Sequence, residues 1–429
     1  MIKSCKHIDI RDYKTLIPWV WDCISRHYAR FDFKRMIINI GKIPHEDYAK
    51  AVQNHDKSKI YPAAENIAKY AVAKIAARDL SELPPVLIRW RKDNSTGKLR
   101  PIGRESALQQ VFDYVAVHAS MEIFDRRVVP QQVSSIPKRG PLHGAKIVQR
   151  WIQDDNRAMR YAKAHKIRYV SKCRQHNKAD IAKCFPSAKL EVFMRLFRKD
   201  CANEDLIWLW ETLLTTHRVN GYTGFMIGAA TSQWAMQYML SFVYRHVMSL
   251  FTLRRGKRLP LVYHMIQFMD DMGMTGTNRK HMKLAMRDMA RYAKDVLELD
   301  FKPNWHIKII DKEPFDMMGY VFHLNGKITI RARVFLRARN LILQHHREQY
   351  LTVSQARRLV SYKGHFKAAG ISYIKEKKTS DETIQVKPAF IYAAKRISEF
   401  EKQKGERYES FLRRQAGKGD VYATADGAS

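Results

Sequence analysis

Two adjacent aspartates, Asp270 and Asp271, interrupt the apolar stretch YHMIQFMDDMGMTG. Carboxylates in apolar surroundings are costly unless another group compensates their charge. A strand, a tight turn and a second strand would place both carboxylates at one edge of a sheet. Taken alone, this pattern fits a functional site and a strained structural turn equally well.

A third carboxylate, Asp180, follows a short basic run in NKADIAKCFPSAKL and precedes an aromatic–proline turn that opens a helix. Mg²⁺ prefers oxygen ligands and is usually held by one or two carboxylates together with substrate phosphates. Two such ions, about 3.5–4 Å apart, activate a hydroxyl nucleophile and stabilise a leaving pyrophosphate. Asp180, Asp270 and Asp271 are therefore candidates for a nucleotidyl-transfer site with two Mg²⁺ ions, Mn²⁺ being an alternative. By contrast, Asp154 and Asp155 lie in the polar sequence WIQDDNRAMR, which is interpreted as a solvated helix face.

The composition indicates the kind of partner. The 429 residues include 77 Lys and Arg against 42 Asp and Glu, a net charge of +35. Such an excess attracts polyanions, so nucleic acid is the first candidate partner and an anionic membrane surface the second. The hydrophobic share of 45% is enough to build a core. Five scattered cysteines without a CxxC pair support neither a zinc site nor a disulfide framework, and reduced thiols predict a cytoplasmic protein.

Local patterns predict the elements that would position these carboxylates. Helical spacing of apolar residues covers 1–80 and the basic C-terminal region. A hairpin is predicted within 84–103 and a helix at 105–124. Polar residues within 224–244 indicate a loop that enters a buried helix and exclude a membrane span, and the N-terminus is too charged for a signal peptide. The charged stretch 375–383 is predicted to be a linker.

Seven segments between 84 and 333 resemble, in the same order, the sequence boxes of reverse transcriptases: KLRPIG, SIPKRGPLHGA, ADIAKCFPS, MIGAATSQW, FMDD, LELDFKPNW and PFDMMGYVFH. Phe268 stands where the FMDD box usually has tyrosine, and ALQQVFDY lacks the charge usual after the first box. The resemblance implies an α+β fold, the right-hand polymerase, with fingers, a palm of antiparallel strands, a helical thumb, and helix-rich N- and C-terminal regions. The implied divisions are an N-terminal helical region at 1–80, fingers at 81–170, palm at 171–333, thumb and C-terminal region at 334–414, and a flexible tail at 415–429.

The resemblance also implies roles at the reaction centre. Asp180, Asp270 and Asp271 would be catalytic and would bind the metals together with the backbone carbonyl of Ile181. Phe185, five residues after Asp180, would lie under the sugar and exclude a 2′-hydroxyl. Without the flanking boxes, Phe185 would be interpreted as an ordinary core aromatic.

Further residues are implied to hold the substrates. Lys98 and Arg100 would clamp the triphosphate. Ile227, Gly228 and Gln233 would contact the nucleotide. The primer and template would be held by Arg139, Gly140, Gly319 and Tyr320.

The segment IGAATSQ is similar to the variant found in diversity-generating retroelements, which have an aliphatic residue before the glycine and Gln after the serine. That resemblance implies error-prone copying of an RNA template at adenine. A bacterial antiphage reverse transcriptase that acts with its own noncoding RNA remains an alternative, as does a catalytically inactive RNA-binding scaffold. Expected partners are template RNA, primer or cDNA and dNTPs, with a noncoding RNA and a small accessory protein as further candidates and no membrane.

Overall fold

The structure is a computed structural model that describes residues 3–92, 99–219, 221–376, 382–401 and 403. It is a mixed helix and sheet protein in which every multi-stranded sheet is small and antiparallel, which confirms the α+β class. Within the described ranges, no helix is both long and apolar enough to cross a membrane.

The helices are numbered in chain order. They are α1 Tyr13–His27, α2 Phe31–Asn39, α3 His45–Gln53, α4 Pro62–Ala77, α5 Ala107–Ala119, α6 Met121–Arg127, α7 Pro141–Ala164, α8 Cys184–Ser187, α9 Leu190–Asp200, α10 Glu204–Thr215, α11 Ala230–Ser249, α12 Arg279–Leu297, α13 Ala332–Glu348 and α14 Val353–Ala369.

The strands are numbered in the same way. They are β1 Leu87–Lys92, β2 Leu99–Arg104, β3 Gln175–Asp180, β4 Phe251–Arg254, β5 Lys257–Pro260, β6 His264–Phe268, β7 Asp271–Gly276, β8 Ile307–Ile309, β9 Phe315–Met317, β10 Tyr320–Phe322, β11 Ile328–Ile330, β12 Tyr373–Lys375 and β13 Thr383–Gln385. The hairpins predicted within 84–103 and around Asp270 are therefore present, as β1–β2 and β6–β7.

The chain divides into two compact units. The first contains Met1–Cys23 and Ala68–Arg331, and the second contains Ile24–Ile67 and Ala332–Ser429. Helices α1 and α4 carry the chain from one unit to the other. This division does not test the subdivision into N-terminal region, fingers, palm and thumb, which remains a prediction. The tail at 415–429 lies outside the described residues.

A four-stranded sheet in the order β6-β7-β3-β8 organises the first unit. Alternate residues of a strand point to opposite faces. One face is filled by fully buried Met265, Met272 and Met274, because flexible methionines fit irregular gaps. Helix α12 is amphipathic and buries a matching stripe of Met282, Met286 and Met289 in the same unit.

A helical layer in the first unit contains an aromatic cluster. Phe193, Phe197 and Tyr238 are fully buried, and the Phe193 and Phe197 ring centroids lie 5.2 Å apart. The Tyr238 hydroxyl donates to Asp200 Oδ2 at 2.7 Å, and Arg127 Nε donates to the same oxygen at 2.7 Å. This buried ion pair joins α6, α9 and α11, and α11 is the buried helix that the sequence predicts after the 224–229 loop.

The second unit is built from α2, α3, α13, α14, the β12–β13 hairpin and helical residues 387–401. Phe366 packs between Phe335, at 6.0 Å, and Phe390, at 5.5 Å between ring centroids. Thr352 and Gln355 form a capping box at the start of α14. The stretch 375–383, predicted to be a linker, instead begins and ends in paired strands, since Lys375 opposes Thr383 in the β12–β13 register.

Candidate active site

The turn of the β6–β7 hairpin carries the two adjacent aspartates. Phe268 and Asp271 are the last paired residues, so Met269 and Asp270 form a two-residue loop. Met269 has φ of +52°, a left-handed conformation that non-glycine residues adopt at a cost. Beside this loop, a buried amide network links Gln132 Nε2 to Gln237 Oε1 at 2.9 Å, and Met269 Sδ lies 3.9 Å from Gln237 Nε2. The strained turn is thus held in place by its surroundings.

Strand β3 brings Asp180 to the same end of the sheet. Asp180 and Asp271 are register partners, and the N–H of Ile181 donates to the Asp270 carbonyl at 3.2 Å. Although 90 residues separate Asp180 from Asp270 in the chain, antiparallel pairing brings their segments together. The structure therefore brings together the three carboxylates singled out from the sequence.

Burial and mutual repulsion perturb these carboxylates. Burial raises the pKa of Asp270 to about 6, and the charges of Asp180 and Asp271 add to the effect. Burial also raises the pKa of Asp271, although Lys178 opposes the change. The thiol of Cys184 lies in the same field, because burial together with Asp270 and Asp180 raises its pKa. The three carboxylates therefore bring together negative charge that nearby basic side chains only partly neutralise.

Two lysines compensate part of that charge. Lys302 Nζ lies 2.6 Å from Asp180 Oδ2, and Lys178 Nζ lies 3.0 Å from Asp271 Oδ2. Lys302 is also fixed through its backbone, since its N–H donates to the Asp180 carbonyl at 2.9 Å. Sequence reasoning gave neither lysine a role. Lys302 lies within a matched box, LELDFKPNW, but only the tertiary structure shows which carboxylate it reaches.

The donor set fits a divalent cation. Asp180 Oδ1 is buried and has no hydrogen-bond partner, which is costly for a charged oxygen. A hard cation would supply that missing partner and would offset both the burial and the neighbouring charges that raise the pKa of Asp270. As the side chains stand, no group of three or more His, Cys, Asp or Glu in the described ranges is arranged around a metal position. The side-chain oxygens that fit are those of Asp180, Asp270 and Asp271, and the buried Ile181 carbonyl remains the fourth ligand implied by the resemblance.

A cavity of about 530 Å³ opens beside Asp180. Its lining includes Lys178, Lys308, Asn304 and Arg331, and Arg331 forms an ion pair with Asp316. Asp180 is therefore open on one side to a space with basic and amide groups, in which Lys178 pairs with Asp271 and Lys308 with Glu313.

Phe185 and the 224–229 loop lie close to each other. Phe185 is half-buried in α8, and its carbonyl accepts from Phe225 N at 2.9 Å. Gly224 is required for this approach, because a Cβ there would lie 2.4 Å from the Pro186 carbonyl oxygen. Phe185 is thus neither fully buried in the core nor fully exposed.

The same loop is tied to β2. Gly103 N donates to the Ile227 carbonyl at 3.0 Å, and Gly228 is exposed with φ of +114°. Arg100 lies on β2, three residues before Gly103, and its side chain is exposed. Lys98, the other predicted triphosphate ligand, lies outside the described residues.

A buried polar network lies behind this loop, and sequence reasoning missed it. Ser232 Oγ lies 3.3 Å from His217 Nδ1, and His217 Nε2 lies 3.2 Å from Glu105 Oε1. Thr231 Oγ1 donates to Asp113 at 3.2 Å, and burial together with nearby Glu105 raises the pKa of Asp113. The network fixes the first turn of α11, where Gln233 is half-buried. Its members come from three separate segments, so no local pattern could predict it.

The four predicted primer and template residues have different surroundings. Arg139 donates through Nη1 to the Val129 carbonyl at 2.8 Å, and Gly140 precedes the first residue of α7. Gly319 has φ of +83° in the β9–β10 turn. Tyr320 is 1% exposed, and burial raises its pKa to about 12, so its side chain belongs to the core. Gly319 is buried as well, and its carbonyl accepts from Arg331 N at 2.9 Å.

A scan against protein-family models finds no match to this chain, and a search among curated proteins finds no significant match.

Proposed function

We propose that this protein is an RNA-directed DNA polymerase, a reverse transcriptase with a right-hand polymerase fold, that makes cDNA from an RNA template. The observation that carries the proposal is the meeting of Asp180, Asp270 and Asp271 at one end of an antiparallel sheet, where buried Asp180 Oδ1 has no hydrogen-bond partner. The order of the seven sequence segments and the net charge of +35 support the same reaction and the same class of substrate.

Each residue of the site has a defined task in this proposal. The carboxylates of Asp180 and Asp270 would hold Mg²⁺, which when bound activates the primer hydroxyl and stabilises the departing pyrophosphate. Lys302 and Lys178 keep Asp180 and Asp271 oriented by ion pairs. The cavity beside Asp180 would admit phosphate groups, which would compete with carboxylates for its lysines and arginine.

The nucleotide would be held on the side of the site formed by β2, α8 and the 224–229 loop. Phe185 would pack under the sugar and select deoxynucleotides, and Arg100 would bind the triphosphate through paired donors. Gly228, which carries no side chain, leaves room beside the Gly103 carbonyl for a base pair to approach the backbone.

Primer extension tests the reaction. The wild-type protein, an annealed DNA primer on an RNA template, dNTPs and Mg²⁺ should give extended cDNA. Replacing Asp270 and Asp271 together by Asn should reduce the rate by about 10³-fold or more, since metal stabilisation of the transition state is worth several kcal/mol. Asp295→Asn, which removes an exposed carboxylate from α12, is the matched control and should extend normally. Extension that survives the double substitution would refute the site.

We further propose that copying is error-prone, as the resemblance to diversity-generating enzymes implies. Ile227 offers no side-chain hydrogen bond to the nucleotide, whereas an amide there would check its geometry. One additional hydrogen bond of about 1 kcal/mol in Ile227→Gln should lower misincorporation opposite template adenine about fivefold. Ile227→Leu should keep the wild-type error rate. Sequencing of cDNA copied from an adenine-rich template measures both, and equal error rates in all three proteins would reject the idea.

A further inference from the structure

The second half of α7 and the β10–β11 turn enclose a groove that the polymerase site does not use. The groove has a volume of about 700 Å³ and is lined by Gln153, Asn156, Arg157, Arg160, Lys163 and Asn325, among others. It shares no lining residue with the cavity beside Asp180. We refer to it as the α7 groove.

Specific contacts hold the two walls of the α7 groove together. Asn156 Nδ2 donates to the Leu324 carbonyl at 2.6 Å, and Gln149 Nε2 donates to the Gly326 carbonyl at 3.0 Å. Gly326 has φ of +80°, and a Cβ there would lie 3.1 Å from Gln153 Cγ. The turn is therefore seated closely against the helix, and the groove has a defined wall.

The helix wall is strongly basic. Arg157, Arg160 and Lys163 recur every three residues, so they follow one face of the helix with a rise of about 4.5 Å per step. All three are exposed. Arg157 forms an ion pair with Asp154, whereas no ion pair involves Arg160 or Lys163 within the described part of the chain. The groove thus presents positive charge that its own surroundings compensate only in part.

An exposed aromatic ring lies beside the α7 groove without lining it, one helical turn after Arg157. Tyr161 is 60% exposed, and its ring stacks on His165 with centroids 4.0 Å apart and an interplanar angle of 26°. Exposed tyrosines next to basic side chains form stacking platforms for unpaired bases. Because the Tyr161 ring is mostly exposed, it is not needed to fill the apolar core.

We propose that the α7 groove binds a single-stranded segment of RNA at a second site, separate from the carboxylates. The basic stripe would contact successive phosphates, Tyr161 would stack on a base, and the amides of Gln153 and Asn325 would contact 2′-hydroxyls. An acidic protein would use the basic stripe but not the stacking ring, so single-stranded RNA accounts for more of the features. The choice of RNA as the ligand rests on the proposed function. In that function, the α7 groove holds the RNA while the end of the RNA is copied.

Equilibrium binding of a fluorescein-labelled single-stranded RNA to the full-length protein, without dNTPs, tests the groove. The triple substitution of Arg157, Arg160 and Lys163 by Gln should weaken binding about tenfold or more and lower the salt slope by about 2, because each single-strand phosphate contact contributes about 0.7. Tyr161→Ala should weaken binding about tenfold for single strands and leave an RNA duplex unaffected.

The matched control is the triple substitution of Lys283, Arg287 and Arg291 by Gln on α12. It removes the same number of exposed charges from a helix of the same unit, and Arg291, like Arg157, has an acidic partner one turn away. Equal losses in the two triple variants would reduce the effect to net charge and overturn the proposal. Equal affinity of the wild-type protein for a DNA strand of the same sequence would overturn the assignment to RNA, because DNA lacks the 2′-hydroxyls.

The binding test of the α7 groove and the primer-extension test of the polymerase site can succeed or fail separately. Groove-dependent RNA binding without any primer extension would support the second site and reject the polymerase. Normal extension with RNA binding unchanged by the groove substitutions would do the reverse. Each variant should have the wild-type thermal unfolding temperature, which would show that the substitutions leave the fold intact.

Discussion

Asp270 lies in the candidate site, and its burial there has an energetic cost to folding. It lies next to Met269, whose left-handed backbone is strained, and burial with two neighbouring carboxylates raises its pKa to about 6. The folded protein therefore binds this proton more tightly than the unfolded chain does. Ionisation of Asp270 between about pH 4 and pH 6 must reduce the free energy of unfolding.

Replacing Asp270 by Asn should remove that loss. At pH 8 in EDTA, we expect Asp270→Asn to be about 1–3 kcal/mol more stable than wild type, and near pH 4 the difference should vanish. Urea unfolding at both pH values measures it, with Asp295→Asn as the exposed control that changes neither value. Mg²⁺ should stabilise the wild type at pH 8 but have little effect on the variant. A difference that is independent of pH would contradict the electrostatic cause.

Asp155 corrects an interpretation made from the sequence. The pair Asp154–Asp155 looked like a solvated helix face, but Asp155 is 4% exposed while Asp154 is exposed. The Asp155 carboxylate accepts from Tyr169 Oη at 2.7 Å, from Lys172 N at 2.8 Å and from Cys173 N at 3.2 Å. It therefore fixes the segment that leads into β3.

The neighbouring aspartates provide a matched pair of substitutions. Asp155→Asn replaces one acceptor oxygen by a donor that faces other donors, so it should cost about 2–4 kcal/mol. Asp154→Asn should change stability by no more than about 0.5 kcal/mol, as is usual at exposed positions. Urea unfolding of both variants under one condition is the measurement. Equal small effects would show that the contacts of Asp155 contribute little.

At the level of elements, the inner strand β7 has a glycine, Gly273, two residues after Asp271, where there is no space for a side chain. Gly273 opposes Lys178 in the sheet register, and a Cβ at Gly273 would lie 2.4 Å from Phe315 Cζ. Phe315 is 1% exposed and belongs to the neighbouring three-stranded sheet, so it cannot move aside freely. The glycine allows the two sheets to approach closely.

Gly273→Ala should therefore destabilise the protein by about 1–3 kcal/mol, the usual cost of overpacking. Gly140→Ala is the control, because an added Cβ at Gly140 has no neighbour within 4 Å. Thermal unfolding followed by circular dichroism compares the two variants. If Gly273→Ala unfolds at the wild-type temperature, the approach of Phe315 is looser than described.

At the level of the whole molecule, a net charge of +35 should dominate association with nucleic acid. A protein that makes about 6–10 phosphate contacts loses about 10³–10⁵ in affinity between 50 and 200 mM salt. We expect the wild-type affinity for RNA to fall within that range, as measured by fluorescence anisotropy over a salt series. A shallow dependence would mean that most of the charge lies on surfaces that RNA does not touch.

The sequence by itself determined the features that depend on near neighbours in the chain. The β1–β2 and β6–β7 hairpins, the buried α11 helix and the identity of the three carboxylates follow from apolar alternation, turn residues and short segments. Those signals lie within a few residues of one another, where backbone sterics and side-chain periodicity act directly.

Only the tertiary structure decided which distant residues meet. It placed Asp180 opposite Asp271 in the sheet and within reach of Lys302, and it buried Asp155 and Tyr320. It also paired the two ends of the expected linker at 375–383 as strands. Burial and ion pairing depend on strand register and on packing between segments far apart in the chain, which local patterns do not encode. The candidate site residues were therefore visible in the sequence, whereas their charge state, partners and accessibility are consequences of the fold.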